Sequence, residues 1–358
     1  MNFLFIEPFY GGSHKNFAQG LATHSRHSID LITMDPRFWK WRMESAAFYI
    51  FKKVPDPSMY DAIIITNMIC VSHLISLWTV SRPPVLLYFH ENQFCYPVAK
   101  GEHRDYHYAM EDIRSASTAD LVLFNSKFHL DSFFTSARSF LKRMPDYPII
   151  SEIDAIEKKS SAVYPGIWFE TDVLQTCSEN KPQYPVILWN HRWEYDKGPE
   201  RFIRGITEAK KKGLIFKVIL AGESYKKKPE VFEKAREQMK DVFIHFGYAK
   251  ERIEYEKLLG TSTIVVSTAN QENFGISVVE ATASGCLPLL PNRLSYPELV
   301  PEKYHQLCLY NEKDFISKLC SLIEGNQRPP QDLVSVFRGF IWKNQAKEFD
   351  SILEELIK

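Results

Sequence analysis

The stretch from Ser262 to Leu290 constrains the fold more than any other part of the chain. The apolar run Thr263 to Ser267 has the β-branched composition of a buried strand, and the run Leu287 to Leu290 has the same character. The residues between the two runs predict a short helix that begins near Gly275 and ends before Gly285, because glycine commonly closes a helix. Strand, helix and strand in succession predict a parallel β-sheet.

Two carboxylates flank the start of this predicted helix. Glu272 lies in the loop before it, and Glu280 lies within it. Backbone amides around Gly275, Ile276 and Ser277 form the kind of helix N-terminus that binds phosphate, and carboxylates on either side accept hydrogen bonds from hydroxyl groups. This layout suits a nucleotide-sugar, which combines ribose hydroxyls, a diphosphate and sugar hydroxyls. The alternative is that Glu280 faces solvent and Glu272 is only a neighbour of the helix cap.

The same alternation of apolar runs and helical segments extends over the whole chain. The predicted strands are Asn2 to Ile6, Ile29 to Thr33, Ala62 to Thr66, Val85 to Phe89, Leu121 to Phe124, Val186 to Trp189, Phe216 to Ala221, Val242 to Phe246, Ile264 to Ser267 and Leu287 to Leu290. This alternation is typical of doubly wound α/β domains. A Tyr-Pro-Gly turn that ends at Gly166 marks a domain boundary. We expect an N-terminal Rossmann-like domain over residues 1–166, a second one over 167–330, and an amphipathic helix over 331–358.

Composition limits the possible partners. The 358 residues include 44 basic and 44 acidic side chains, so the net charge is zero and any contact with nucleic acid must be a local patch. The six cysteines, Cys177 among them, are scattered without a C-x-x-C pair, as in reduced cytoplasmic proteins. No apolar run approaches membrane-spanning length. We therefore expect a cytoplasmic protein with no membrane partner, while the oligomeric state cannot be read from these features.

The segment from Pro36 to Lys53 combines aromatic and basic side chains. Trp39 and Trp41 lie beside Lys40 and Arg42. Side chains of these two kinds stack on bases and contact phosphates. The alternative is a loop whose tryptophans simply pack on the domain surface.

Polar residues follow several predicted strands of the first half, where the carboxyl ends of parallel strands line a ligand site. The strand that ends at Phe89 is followed by His90, Glu91, Asn92 and Gln93. We expect the acceptor chemistry at these strand ends. Gly11 and Gly12 after the first strand allow a ligand to approach the backbone. They do not complete the G-x-G-x-x-G pattern, which argues against an NAD-dependent dehydrogenase.

The loop and helix described first resemble the donor-site signature of retaining GT-B glycosyltransferases of family 4. The matching residues are Glu272, Asn273, Phe274, Gly275, Ile276 and Glu280. The resemblance implies that Glu272 touches the sugar hydroxyls and that Glu280 touches the ribose. It also implies the GT-B fold: two Rossmann-like domains with a donor and acceptor cleft between them, and a C-terminal helix that crosses back to the first domain.

Other residues resemble further parts of this family. Arg192 and Lys197 resemble the pair that clamps the donor diphosphate, where two cations help the charged leaving group depart. His90 resembles the first-domain histidine that faces the donor sugar. Together with Glu272, these three are the candidate catalytic residues. The remaining donor-site candidates lie in loops that resemble those around the base and the diphosphate, and they are Gly12, Gly222, Gly247 and Tyr248.

Blocks spread over nearly the whole chain resemble one branch of the family, the tRNA-queuosine α-mannosyltransferases. They include the segments that begin at Ile6, Tyr88 and His191. The resemblance implies transfer of mannose from GDP-mannose to the cyclopentenediol of queuosine in the anticodon of tRNA-Asp. The acceptor-side candidates are then Glu7, Ser13, His14, Trp39, Trp41, Glu91, Asn92 and Gln93.

We expect no metal and no cofactor apart from the donor substrate. The chain has no D-x-D triplet and no phosphate-binding P-loop, and His103 with His107 has no evident third ligand. Two alternatives stay open beside the disfavoured dehydrogenase. One is a family 4 enzyme that uses another nucleotide-sugar and a lipid or glycan acceptor. The other is a nucleotide-sugar-binding or RNA-binding module without turnover.

Overall fold

The computed structural model describes residues 1–96, 104–170, 174, 181–223 and 229–358. Two residues considered above, His103 and Cys177, lie outside these ranges. The chain divides into two compact units, the first made of Met1–Gly166 with Ile341–Lys358 and the second of Ile167–Phe340.

The first unit is built on a parallel six-stranded sheet in the order β2-β1-β3-β4-β5-β6. Its strands are β1 (Asn2–Glu7), β2 (Ser28–Thr33), β3 (Ala62–Thr66), β4 (Val85–Phe89), β5 (Leu121–Phe124) and β6 (Ser160–Ala162). The central strands β3 and β4 are completely buried, which explains their continuous apolar sequences. The short, polar β6 at the edge of the sheet has no such signal and was not predicted.

Helices connect these parallel strands. They are α1 (Gly12–His24), α2 (Trp39–Lys53), α3 (Val71–Leu77), α4 (Tyr106–Thr118), α5 (Lys127–Leu141) and α6 (Ile150–Lys158). Side chains cap several of them, since Asp105 accepts a hydrogen bond from the His107 amide and Ser126 accepts one from the His129 amide. The aromatic and basic segment is thus a helix, α2, rather than a loop.

The second unit contains another parallel six-stranded sheet, in the order β12-β11-β10-β7-β8-β9. Its strands are β7 (Val186–Trp189), β8 (Lys217–Ala221), β9 (Phe243–Gly247), β10 (Ile264–Val266), β11 (Leu287–Pro291) and β12 (Leu309–Tyr310). The two-residue strand β12 is too short to be recognised in the sequence. The other five strands agree with the predicted ones to within a residue at each end.

In the described ranges of the second unit, the α-helices whose bounds are given are α7 (Pro199–Lys211), α8 (Glu230–Gln238), α9 (Arg252–Thr261), α10 (Ile276–Ala283), α11 (Tyr296–Leu299), α12 (His305–Cys308), α13 (Phe315–Glu324) and α14 (Gln331–Arg338). The helix expected between the last two predicted strands is α10. Helix α14 packs against α10 within this unit. The amphipathic stretch 331–358 is therefore two helices rather than one.

The second part of that stretch, α15 (Trp342–Leu356), packs against α1 in the first unit, as the resemblance to GT-B proteins implied. Its Trp342 is fully buried. A Cβ atom on Gly20 or on Gly166 would overlap the Trp342 indole, so the ring fits only because both residues lack a side chain. Phe349, two turns further along, packs edge-on against Phe17 at 5.5 Å between ring centroids.

Among the described residues, no helix combines the length and the apolar composition that a bilayer crossing requires. The cysteines described are free thiols, namely Cys70, Cys95, Cys286, Cys308 and Cys320.

Candidate functional site

The N-terminus of α10 lies at the carboxyl end of the second sheet. Gly275 precedes the helix with φ of +99°, a conformation that favours glycine, and a Cβ there would make a tight contact of 3.1 Å with the Tyr296 ring. Among the described residues, no side chain caps this helix. Asn190 Nδ2, just after β7, donates a hydrogen bond to the Ser277 carbonyl at 2.8 Å and fixes the first turn. A helix start of this kind suits an anion.

Lys197 lies beside this helix start in the 3₁₀ turn Tyr195–Lys197 and is buried. Its Nζ atom donates to the Gln271 carbonyl at 2.8 Å and lies 3.4 Å from Glu272 Oε2 and 3.2 Å from Asp196 Oδ2. Burial alone would lower the pKa of Lys197, but the two carboxylates outweigh it and the pKa is raised. The structure therefore brings together two predicted site residues, the buried Lys197 and the partly exposed Glu272, as a charged pair.

Arg192 occupies a more open position than Lys197. Its side chain is 44% exposed and lies 3.5 Å from Glu194 Oε2. Its charge nevertheless acts on Lys197, whose pKa it lowers against the effect of the carboxylates. The role of the two cations as a diphosphate clamp stays a prediction.

Glu280 lies inside α10 with a buried carboxylate, so it is not the solvated helix residue of the alternative interpretation. Its Oε1 atom accepts a charged hydrogen bond of 2.8 Å from Arg252 Nη2. The same guanidinium lies 3.0 Å from Glu256 Oε1 and 5.3 Å from the centroid of the Tyr255 ring. The sequence analysis missed Arg252, because its spacing of four residues from Glu256 is typical of a surface pair on a helix.

Two glycine loops end the neighbouring strands β8 and β9. The Gly222 amide donates to the Gly247 carbonyl at 3.2 Å, so the two predicted loops lie side by side. Tyr248, the next residue, is 56% exposed. This arrangement is compatible with the base site expected there, which stays a prediction.

The remaining donor-site candidates differ in the burial and the contacts of their side chains. Phe274 is buried and packs edge-on against Phe340 at 5.7 Å, so its side chain belongs to the core of the unit. Asn273 Oδ1 accepts a hydrogen bond from Gln271 Nε2 at 3.0 Å. Ile276 is half-buried at the first position of α10.

In the first unit, three predicted residues form a cluster at the carboxyl ends of β1 and β4. Glu7 ends β1, His14 lies in the first turn of α1, and His90 follows β4. The Nδ1 atom of His14 is 3.2 Å from each Glu7 carboxylate oxygen, and Nε2 of His90 is 3.8 Å from Glu7 Oε2. The two imidazole rings lie 4.0 Å apart between centroids.

The backbone of His90 is held on both sides by asparagines that end adjacent strands. Asn67 Oδ1 accepts a hydrogen bond from the His90 amide at 3.1 Å, and Asn125 Nδ2 donates to the His90 carbonyl at 2.8 Å. Burial lowers the pKa of His90 well below its usual value, and the neighbouring His14 and His129 act in the same direction. His90 is therefore a neutral imidazole in a fixed position.

The loop after His90 is tied to the protein itself. Asn92 Oδ1 accepts from the Cys95 amide at 3.0 Å, and the Gln93 amide donates to Asp112 Oδ2 at 2.9 Å. Gln93 Nε2 also donates to Glu91 Oε1 at 3.3 Å. These contacts position the loop, and an acceptor contact by any of its three candidates stays a prediction.

The remaining candidates of the first unit lie on α1 and α2. The donor-site candidate Gly12 and the acceptor-side candidate Ser13 are exposed in the first turn of α1. On α2, Trp41 is 63% exposed, whereas Trp39 is half-buried and packs edge-on against Tyr108 at 5.2 Å. Of the two tryptophans, Trp41 is therefore the one available to stack on a base.

Solved structures with the same fold support this description. Anabaena HepE in complex with UDP superposes with a TM-score of 0.68 at 15% identity, over 99% of this chain and 100% of that one. The catalytic domain of starch synthase IV from Arabidopsis thaliana, bound to ADP and acarbose, gives a TM-score of 0.69 at 11% identity over 100% and 99% of the two chains. At these identities the likeness confirms the fold, and the expected GT-B class is correct.

Sequence comparison is more specific. Residues 2–167 match the family described as tRNA-queuosine alpha-mannosyltransferase N-terminal, and residues 175–334 match glycosyl transferases group 1. A Drosophila melanogaster protein named tRNA-queuosine alpha-mannosyltransferase is 34% identical over 328 residues, which are 88% of this chain and 85% of that protein. With both sheets, the Lys197 and Glu272 pair and the α10 N-terminus in place, this chain belongs to the tRNA-queuosine alpha-mannosyltransferase family of GT-B glycosyltransferases.

Proposed function

We propose that this protein transfers mannose from GDP-mannose to the cyclopentenediol of queuosine in the anticodon of tRNA-Asp, with retention of anomeric configuration. The observation that carries the proposal is the contact between Lys197 and Glu272 beside the N-terminus of α10, in a chain of this family. A buried cation, a carboxylate and a helix start next to one another match the diphosphate and the sugar hydroxyls of one donor molecule.

In the reaction, the bond between the anomeric carbon of mannose and the diphosphate breaks, and a hydroxyl oxygen of the cyclopentenediol bonds to that carbon on the same face. The hydroxyl proton passes to the departing diphosphate, so no protein nucleophile is needed. Lys197, Arg192 and the α10 amides stabilise the charge that develops on this leaving group. This charge stabilisation needs no metal at the diphosphate.

The other donor contacts follow from the positions of the residues. Glu280, oriented by Arg252, accepts hydrogen bonds from the ribose, and the base lies near Gly247 and Tyr248. The imidazole of His90, whose pKa is lowered by burial, forms a hydrogen bond with a sugar hydroxyl.

The RNA contact is a local one, because the net charge of the whole chain is zero. We place this contact at the N-terminal end of helix α2, where Phe38 and Trp41 are exposed beside Lys40. Exposed aromatics stack on splayed bases of an anticodon loop, and Lys40 contacts its phosphates. We place the enzyme in the cytoplasm with its tRNA substrate.

The test is an incubation of purified protein with radiolabelled GDP-mannose and tRNA that contains queuosine. The control reactions contain tRNA that lacks queuosine, or UDP-glucose in place of GDP-mannose. We expect label only in the queuosine-containing tRNA and only from GDP-mannose. Saturable binding of GDP-mannose without label in tRNA would refute the acceptor assignment, and transfer to a lipid or glycan instead would identify the alternative acceptor.

A further inference from the structure

Glu7, His14 and His90 form a set of two histidines and one carboxylate, which holds catalytic zinc in many enzymes. One ligand atom from each residue lies within 4.8 Å of the other two. They come from the end of β1, the first turn of α1 and the residue after β4, so the fold rather than the sequence brings them together. We call these residues the Glu7 cluster.

We propose that the Glu7 cluster binds a zinc ion. The distances of 3.2 Å from His14 Nδ1 to both Glu7 oxygens, and of 3.8 Å from His90 Nε2 to Glu7 Oε2, bear on this directly. Ligand atoms at about 2.0–2.2 Å from a tetrahedral zinc lie roughly 3.3–3.6 Å from one another. The separations of His14 and His90 from Glu7 differ from these values by only a few tenths of an ångström, and all three ligand atoms lie within 4.8 Å of one another.

A simple hydrogen bond explains the geometry less well. A charged hydrogen bond between imidazole and carboxylate prefers one oxygen at about 2.7–2.9 Å. Here His14 Nδ1 is at the same, longer distance from both oxygens of Glu7. His14 Nδ1 and His90 Nε2 both lie near the same carboxylate, as ligand atoms do around a shared central ion.

The surroundings also suit a metal. The side chain of Glu7 is 0% exposed and those of both histidines are 8% exposed. The buried carboxylate therefore favours a cation that compensates its charge. The Phe9 amide donates to Glu7 Oε1 at 2.9 Å and orients the carboxylate. The asparagines that hold the His90 backbone keep its ring in place, as outer groups do around metal ligands.

Three protein ligands leave one position of a tetrahedral zinc for an oxygen atom. Because the cluster lies at the carboxyl ends of its strands, where parallel sheets bind ligands, we assign that position to a hydroxyl of the acceptor diol. This assignment rests on the function proposed above, whereas zinc binding itself does not. It also revises the expectation of a protein without metal, and it leaves the sugar contact of His90 to Nδ1.

The binding test uses the full chain, stripped of metal with a chelator and then titrated with zinc or with cobalt as a spectroscopic substitute. We expect one equivalent to bind, with the visible absorption of tetrahedral cobalt. Glu7→Gln, which keeps the side-chain volume, and His14→Gln should each weaken binding by at least about a hundredfold. The matched control is His107→Gln, an exposed histidine paired with Glu44, which should bind like the wild type.

Circular dichroism of each variant without metal establishes that the fold is retained. Binding weaker than stoichiometric in the wild type, or binding that Glu7→Gln leaves intact, would overturn the proposal. Loss of binding in His107→Gln alone would assign the metal to the His107 region and would overturn it as well.

A second measurement separates this inference from the proposed function. Transfer to queuosine tRNA and hydrolysis of GDP-mannose in the absence of tRNA are compared before and after metal removal. We expect transfer to fall and donor hydrolysis to persist. Zinc bound without any transfer would refute the proposed function and support the site, whereas full transfer by metal-free protein would refute the role of zinc and leave the proposed function standing.

Discussion

Arg252 is the cation on which two buried carboxylates of the second unit depend, so its replacement by alanine is a sharp test of the site. Its guanidinium lies 3.0 Å from Glu256 and 2.8 Å from Glu280, whose side chains are 1% and 5% exposed. Arg252→Ala leaves both carboxylates without this partner. It also removes a guanidinium that lies against the rings of Trp168 and Tyr255.

Removal of one partner from a buried ion pair costs about 3–5 kcal/mol. Because a single guanidinium serves both carboxylates, the two losses are not additive. We therefore expect Arg252→Ala to lower the free energy of unfolding of the second unit by about 4 kcal/mol. For a unit of this size, that corresponds to a fall in Tm of roughly 8–16 °C.

The assay is urea unfolding followed by tryptophan fluorescence, with and without GDP. The matched control is Lys210→Ala, which removes a solvent-exposed pair with Asp241 and should cost less than about 1 kcal/mol. GDP should stabilise Arg252→Ala less than the wild type, because Glu280 is no longer oriented toward the ribose. Equal, small losses for the two variants would show that the Arg252 contacts contribute little and would refute the reasoning.

Three further changes test separate parts of the molecule. Lys197→Ala should lower kcat by roughly a hundred- to a thousandfold; initial rates at saturating donor measure it, and an unchanged kcat would remove Lys197 from the mechanism. Trp41→Ala should weaken tRNA binding by about 1–3 kcal/mol in filter binding while donor hydrolysis is unchanged, and Trp39→Ala, which loses a packed ring, serves as the comparison. Burial lowers the pKa of His191 from 6.5 to about 3. As the pH falls below 6.5, His191 takes up a proton in the unfolded chain before it does so in the folded one. This difference should lower the free energy of unfolding by about 1.4 kcal/mol per pH unit. His191→Gln should reduce that slope in urea titrations between pH 4 and 6.5, and an unchanged slope would contradict it.

Much of the fold could be predicted because buried parallel strands have continuous apolar sequences. Strands β3, β4 and β7 begin and end at the predicted residues, since each apolar run is bounded by polar ones. The strands β6 and β12 escaped prediction because edge strands of two or three residues bury too little surface to leave a pattern. These two segments form strands because they pair with β5 and β11 in the folded protein.

Some residues of the candidate site could also be predicted from the sequence, and others could not. Glu272 and Lys197 could be predicted because each lies in a local motif, and the structure only had to bring the two motifs together. Arg252 could not be predicted, since its partner Glu280 is 28 residues away and the pairing depends on how α9 and α10 pack. The three residues of the Glu7 cluster were predicted as site residues, but their mutual contact could not be predicted, because β3 separates β1 from β4 in the sheet. The distance between residues on β1 and β4 cannot be predicted from the sequence.

The indole of Trp342, seated between Gly20 and Gly166, has a consequence for how the protein is made. A ribosome synthesises residues 341–358 of the first unit only after it has synthesised all of Ile167–Phe340. The second unit can therefore close its core while the first still lacks its final helix and presents an open apolar slot. Chains released early would expose that slot to one another, so we expect the nascent first unit to be the stage most prone to aggregation.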